Sequence, residues 1–245
     1  MQKNPTLFVI LSFILISNIY GEETNTIKKE KDWGLETSAG FSFSSGNSEK
    51  IGLNTSLTFK KFSETHELLL KGSYYYGESK GEKDINKWDG TIMYDFNFLK
   101  SESLFLFVFP AGNEFQDLYL RLQSGAGYKH TFYNKKGINL SISLAGLWEF
   151  KYSYAREDDH ISRLSFRPKI KIKPNDSFYL YFVLFYQPEI DYWLDYRIMG
   201  EFKMDFRIIK FLFFEVKLID EYNNIVPENI IRNDFTIINA LKFKI

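Results

Sequence analysis

Residues Ser162–Lys173 read SRLSFRPKIKIK. Arg163, Ser165, Arg167, Lys169 and Lys171 take every second position, and Leu164, Phe166, Pro168, Ile170 and Ile172 fill the positions between. An extended strand sends successive side chains to opposite faces, so the run divides into a basic face and an apolar face. A helix would scatter the same charges around its circumference. Pro168 interrupts the pattern, since proline donates no hydrogen bond to a sheet ladder.

The same period recurs on both sides of this stretch. Trp88, Gly90, Ile92, Tyr94, Phe96 and Phe98 alternate with Asp89, Thr91, Met93, Asp95 and Asn97. Leu140, Ile142, Leu144 and Trp148 oppose Ser141, Ser143, Ala145 and Glu149. Ile198, Phe202, Met204 and Phe206 oppose Met199, Glu201, Lys203 and Asp205; Leu212, Phe214, Val216 and Leu218 oppose Glu215 and Lys217. The pattern predicts about twelve strands, bounded by about 10 and 14, spaced about 18 residues apart. Their predicted starts are Trp33, Lys50, His66, Lys87, Glu102, Gln116, Ile138, His160, Ser177, Leu194, Phe211 and Arg232.

The connections alternate in length. Short ones fall around Ser63–Glu64, Lys100–Ser101, Asn134–Gly137, Lys173–Asp176 and Ile209–Lys210. Longer polar ones are predicted at Glu78–Asn86, Pro110–Phe115, Ser153–Asp159, Pro188–Trp193 and Asn223–Ile231, with Ser44–Ser48 a short exception. Transmembrane barrels have this rhythm of short turns at one end and longer loops at the other. A soluble β-sandwich has no reason to adopt it.

Composition sets outer limits. The chain has 245 residues, formal net charge +0 and no cysteine. Zero net charge argues against a nucleic-acid partner, which needs a basic footprint. The absence of cysteine removes disulfides, thiolate metal sites and a lipidated N-terminal cysteine. Aromatic residues reach 18%, with 25 Phe and 16 Tyr, suited either to a large core or to membrane-interface belts. Lys3 followed by the apolar run Leu7–Ile16 and small Gly21 reads as an export signal over residues 1–21. The run is too short for a membrane-spanning helix, which needs about 20 residues. Residues 22–32 then read as a charged leader and 33–245 as one barrel.

Alternation by itself does not say which face is buried. The export signal, the two-signed charge on the polar faces and the aromatics near strand ends all favour an inverted barrel, apolar outside and polar inside. Those aromatics are Trp33, Tyr74, Tyr76, Trp88, Tyr128, Trp148, Tyr179, Tyr192 and Trp193. The expected fold is therefore all-β, a single antiparallel up-and-down transmembrane β-barrel in the cell outer membrane. The final stretch Asp234–Ile245 (DFTIINALKFKI) supplies the apolar last strand that barrel-assembly machinery would engage.

Four blocks resemble a known family. Gly40–Lys50 (GFSFSSGNSEK), Tyr94–Phe98 (YDFNF), Asn113–Lys129 (NEFQDLYLRLQSGAGYK) and the pair Asn233–Asp234 are similar to a family of bacterial outer-membrane proteins of unknown function. That family is typified by a salt-induced outer-membrane protein of enterobacteria. The resemblance spans roughly Trp33 to Ile245. It implies an outer-membrane barrel and brings no catalytic residues.

The candidate functional residues are those predicted to line a pore: Asp95, Arg121, Glu149, Arg163, Arg167, Lys169, Lys171, Glu201 and Lys203. Two arrangements compete. The β-period basic ladder Arg163, Arg167, Lys169 and Lys171 could form an anion-preferring wall. Alternatively, it could pair with Asp95, Glu149, Glu201 and Asp205 and fill the lumen. The matching functions are a narrow pore for small solutes or ions, and a structural or envelope-stress barrel that transports nothing. A barrel lipid hydrolase is the remaining reading. It would need a Ser–His or Asp–His pair built on His66, His130 or His160; Asp158–Asp159–His160 could poise a base or bind a cation, but it reads more simply as a solvated loop. Gly125 and Gly127 (SGAGY) lack the Lys-Ser/Thr of a phosphate loop and read as close approach on a strand. No catalytic, metal or cofactor site is expected, and membrane lipid is the expected surrounding partner.

Overall fold

The computed structural model describes residues 32–45, 50–79, 82–154, 159–226 and 230–245. The expected export signal and most of the charged leader lie outside the described residues. So do Asp158 and parts of four predicted loops, Ser44–Ser48, Glu78–Asn86, Ser153–Asp159 and Asn223–Ile231.

Twelve antiparallel strands form one closed barrel. They are β1 (Trp33–Ser45), β2 (Lys50–Phe62), β3 (His66–Ser79), β4 (Glu82–Asn97), β5 (Glu102–Asn113) and β6 (Leu118–Lys135). The second half comprises β7 (Ile138–Ser153), β8 (Asp159–Asn175), β9 (Phe178–Pro188), β10 (Tyr196–Ile209), β11 (Leu212–Asn223) and β12 (Asn233–Lys244). Each strand pairs with its neighbours in sequence, and β12 returns to pair with β1 from Glu36↔Lys244 to Ser45↔Phe235. Closure leaves no sheet edge, and edges are what hydrocarbon does not tolerate.

The faces are inverted relative to a soluble protein. Leu57, Ile92, Leu106, Leu144, Phe214 and Leu241 are exposed on the outside. Glu149, Arg163, Arg167, Asp205 and Lys242 are buried inside. Trp33, Trp88, Tyr128, Trp148, Tyr192 and Trp193 are exposed, as an interfacial belt requires. Tyr179 departs from the expected belt. It shares the inward face of β9 with buried Val183 and Gln187, and its ring lies under the Lys203 ammonium. An aromatic near a strand end can serve either face, and the strand's parity decides.

Local chemistry explains the turns and the ladder gaps. Lys136 and Gly137 have φ of 51° and 73°, the two positive values that a two-residue hairpin turn of the primed type needs between β6 and β7. Pro168 pairs with Ile142 on β7, while the β8–β9 ladder skips from Phe166↔Tyr186 to Lys169↔Val183 around it. Pro110 does the same on β5, where the ladder to β4 skips from Asp89↔Ala111 to Ile92↔Val108.

The third connection differs from expectation. Polar Glu78–Asn86 was expected as a loop, but β3 runs to Ser79 and β4 starts at Glu82, with Glu78↔Lys83 still paired past a bulge at Gly77/Glu78. A strand that extends past the membrane edge into water can carry polar residues on both faces, which erases the period that marks it in sequence. β5 likewise runs on through Pro110 to Asn113, and a 3-10 turn at Glu114–Gln116 follows.

Gly40 sits at the closing seam opposite Ala240. A Cβ at this position would run into the Asn239 carbonyl oxygen and Ala240, whereas one at Gly34 would meet nothing within 4 Å. Gly40→Val is therefore expected to lower the yield of closed barrel, read as the fraction that migrates as a compact band before heating and shifts on heating. Gly34→Ala should leave that fraction unchanged.

Candidate functional site

All nine residues expected to line a pore project from inward-facing strand positions. Opposite parity on every strand carries the lipid-type apolar residues. The structure distributes the nine between three levels of the lumen. One is near the end bearing the longer loops, one is at mid-height, and one is near the end bearing the short turns and the last strand's terminus.

The loop-end level is built around Glu149 of β7, which is 0% exposed. Its carboxylate accepts from Arg197 Nη1 at 2.9 Å and from Gln123 Nε2 at 2.5 Å. Lys151 stands 3.4 Å away and Arg163 Nε 3.6 Å away. Arg163 is held on its other side by the β9–β10 connection, donating to the Asp195 carboxylate at 3.0 Å and to the Asp195 and Gln187 carbonyls at 3.2 Å. Arg121 of β6 reaches across the lumen to Glu221 of β11, at 3.5 Å. Gln116 donates to Asp234 of β12, so side chains bridge this mouth almost along its diameter. At the 3-10 turn after β5, Glu114 accepts from Lys83 and Asn86 of β4 at 2.6 and 2.7 Å, which hold its carboxyl below the ordinary range. Burial and then nearby Asp195 push the Glu189 carboxyl up.

The turn-end level holds two further paired groups. Asp205 accepts from Lys242 at 2.8 Å and from Lys244 at 2.7 Å, and Lys242 also pairs with Glu215. Asp95 of β4 pairs with Lys129 of β6 at 2.7 Å. Lys203 lies 5.2 Å over the Tyr181 ring and 5.6 Å over Tyr179.

The middle level is different in kind. Phe105, Phe107 and Phe109 of β5 face inward, and Arg167 of β8 projects among them. Its guanidinium carbon is 4.3 Å from the Phe107 ring centre and 5.2 Å from that of Phe185 on β9. Gly125 and Gly127 are the register partners of Phe107 and Phe105. A Cβ at Gly125 would come within 2.9 Å of the Phe107 ring, and one at Gly127 would strike the Phe105 ring. The SGAGY block is thus a bare strip of strand that makes room for two phenyl rings. Sequence reasoning missed this aromatic sector. Leu104–Phe109 reads LFLFVF, apolar on both faces, so alternation could not reveal which side the phenylalanines take.

The three histidines lie at outward-facing positions near strand ends. His66 Nδ1 is 2.7 Å from the Tyr94 hydroxyl, and His130 Nδ1 is 2.8 Å from Glu102. His160 packs edge-on against Phe150, with centroids 4.9 Å apart. None is brought to a serine hydroxyl within the lumen among the described residues.

Comparison with known proteins agrees with this geometry. The family model described as "Protein of unknown function, DUF481" matches residues 37–244. No curated protein matches the chain in sequence. Among solved structures, the NanC porin superimposes with a TM-score of 0.58 at 10% identity, covering 86% of this chain and 100% of that chain. A KdgM porin gives a TM-score of 0.49 at 10% identity, covering 84% of this chain and 98% of that chain. At such identity the likeness to the first is one of fold.

Removing the charge of Glu149 would take the shared counter-charge from Arg197, Arg163 and Lys151 and leave each with one acid, Glu221, Asp195 and Asp159 respectively. Glu149→Gln is expected to lower unfolding stability in denaturant by about 3 kcal/mol, the low end for breaking a buried pair. Adding Arg197→Gln should cost less than the sum of the two single changes, because the second substitution removes a charge the first left under-compensated.

Proposed function

From the premise that the chain belongs to the DUF481 family of proteins of unknown function, we propose that it is an outer-membrane barrel whose lumen is a narrow, charge-lined passage for small solutes. The observation that carries this reading is the inverted closed barrel with a polar interior crossed, among the described residues, by side chains. Arg121–Glu221 and Gln116–Asp234 span the loop-end mouth. Among the described residues no helix or strand occupies the interior.

Side-chain bridges of this kind narrow a lumen and leave it hydrated at their margins. Charged lumen walls then set which solutes enter. A barrel of twelve strands stands between small barrels filled by their own side chains and wide porins. That size suits ions and small organic solutes. The solved barrel with the highest similarity quoted above is itself described as a porin, which supports the reading without supplying a solute.

The rival is a structural barrel whose paired charges fill the lumen. It has its own observation, since the Glu149 and Asp205 groups are fully engaged in ion pairs. Export by a leader at residues 1–21, delivery by barrel-assembly machinery and residence in the outer membrane belong to both readings. Electrical recording separates them. Refolded protein in a planar bilayer is expected to give small, discrete current steps. Replacing both Arg121 and Glu221 with Ala should enlarge the steps by removing a cross-lumen bridge. Silence from protein that still migrates as a heat-modifiable band would sink the pore reading.

A further inference from the structure

The basic ladder of β8 does not behave as one unit. Arg163 is paired with Glu149 and Asp195. Its three successors on the same face, Arg167, Lys169 and Lys171, have no carboxylate within ion-pair distance among the described residues. Three of the four acids that alternation offered them are taken by others: Asp95 goes to Lys129, Glu149 to Arg197 and Lys151, and Asp205 to Lys242 and Lys244. The fourth, Glu201, lies on the inward face of β10 but is not within ion-pair distance of any of the three.

Arg167 is the clearest case. It is 5% exposed, its Nε donates to Ser165 at 2.8 Å, and its Nη2 has no hydrogen-bond partner. Phenyl rings pack against its guanidinium. Burying a charge without a partner is costly, and native structures almost always supply one. Cation–π contact recovers only part of that cost. A guanidinium has its donors in its own plane, so ring contact over its faces leaves donor edges for hydrogen bonding. An unused, pre-oriented donor on a cation of this kind matches an oxyanion. A carboxylate matches it best, because two oxygens fit the guanidinium fork. Apolar bulk attached to the carboxylate would meet the phenyl rings rather than water. Lys169 and Lys171 continue the positive column from this point towards the turn end, one strand step apart on the same face.

We propose that Arg167, walled by Phe107 and Phe185 and followed by Lys169 and Lys171, is a carboxylate-binding track that makes the lumen select small organic anions. This rests on the passage proposed above and names its solute class. Accommodation requires the Phe107 or Phe185 ring to swing aside. The β5 rings rest directly on the bare backbone of Gly125 and Gly127.

The test uses benzoate, which joins a carboxylate to a flat apolar body, with benzyl alcohol as the uncharged control. Calorimetric titration of the folded full barrel in detergent should show benzoate binding and no heat from benzyl alcohol. Arg167→Gln should weaken benzoate about tenfold, the usual consequence of losing a charge-assisted hydrogen bond. Arg167→Lys keeps the charge without the fork and should fall between. The Lys169→Gln/Lys171→Gln pair tests the track without disturbing the aromatic site. Under a potassium chloride gradient the wild-type reversal potential should have the sign of chloride preference, and this pair should move it towards zero. Benzoate binding without any current would retain the anion site and remove the passage. Current with cation preference, and equal benzoate affinity in wild type and Arg167→Gln, would retain the passage and overturn the anion track. Heat-modifiable migration of each variant shows that it is folded.

Discussion

The pairing of β12 with β1 is the contact on which the rest depends. In hydrocarbon an unpaired N–H or C=O costs several kcal/mol, and each strand edge presents a row of them. Twelve strands joined only to their neighbours in sequence would leave two such rows. Bringing Glu36–Ser45 against Phe235–Lys244 removes both at once. The seam therefore has to be tight, and it is made of small residues where the backbones approach. Gly40 opposes Ala240 there, and Ser38 and Ser42 are buried beside it. Closure also defines an inside. Once one exists, the parity of each strand assigns every side chain either to lipid or to the lumen, so a property of the backbone dictates where charge can be placed.

That dependence explains what was readable in the sequence. Where one face is charged and the other apolar, as in Ser162–Lys173, period and parity suffice, and the inward column can be named residue by residue. The short turns were legible for a second reason. Lys136–Gly137 has to supply two positive φ values, and glycine in such a position is a local signature. Three kinds of feature were hidden. Leu104–Phe109 is apolar on both faces, so the inward phenylalanines carry no period. Glu78–Asn86 is polar on both faces because its hairpin runs beyond the apolar belt, and it passed for a loop. Tyr179 is amphipathic and suits an interface or a lumen equally, and only its register opposite Asp205 decides. In each case the missing information is which medium touches the strand at that height.

Partner choice across the lumen was beyond sequence for a different reason. Arg121 and Glu221 are 100 positions apart and meet only because β6 and β11 face one another around a closed ring. The pool of inward acids and bases was visible in alternation, but the assignment of acid to base needs the stagger of all the strands between. Charge pairing inside such a lumen is therefore a collective property. A change in register at one hairpin would reassign several pairs, which ties the electrostatics of the interior to the same closure that satisfies the backbone.

The resulting division of charge is uneven, and the unevenness is physically informative. At the loop end, four cationic side chains share Glu149 and Glu221 as counter-charges, with Asp195 drawn in from a connection to complete the set. Charge there is spent on holding strands and a loop in one arrangement. At mid-height the surroundings of Arg167 are phenyl rings and the Ser165 hydroxyl instead of acids. A barrel selected only to fill its interior would place an apolar side chain at that position or a carboxylate beside the guanidinium, since either avoids an unpaired buried charge. Pairing β5 phenylalanines with β6 glycines does the opposite: it seats phenyl rings against a cation where an acid would neutralise it. The same SGAGY strip that resembles a family pattern is what permits the rings to lie there. The glycines, the rings and the unpaired arginine are thus parts of one construction, spread over β5, β6 and β8 and joined only by the register of the closed sheet.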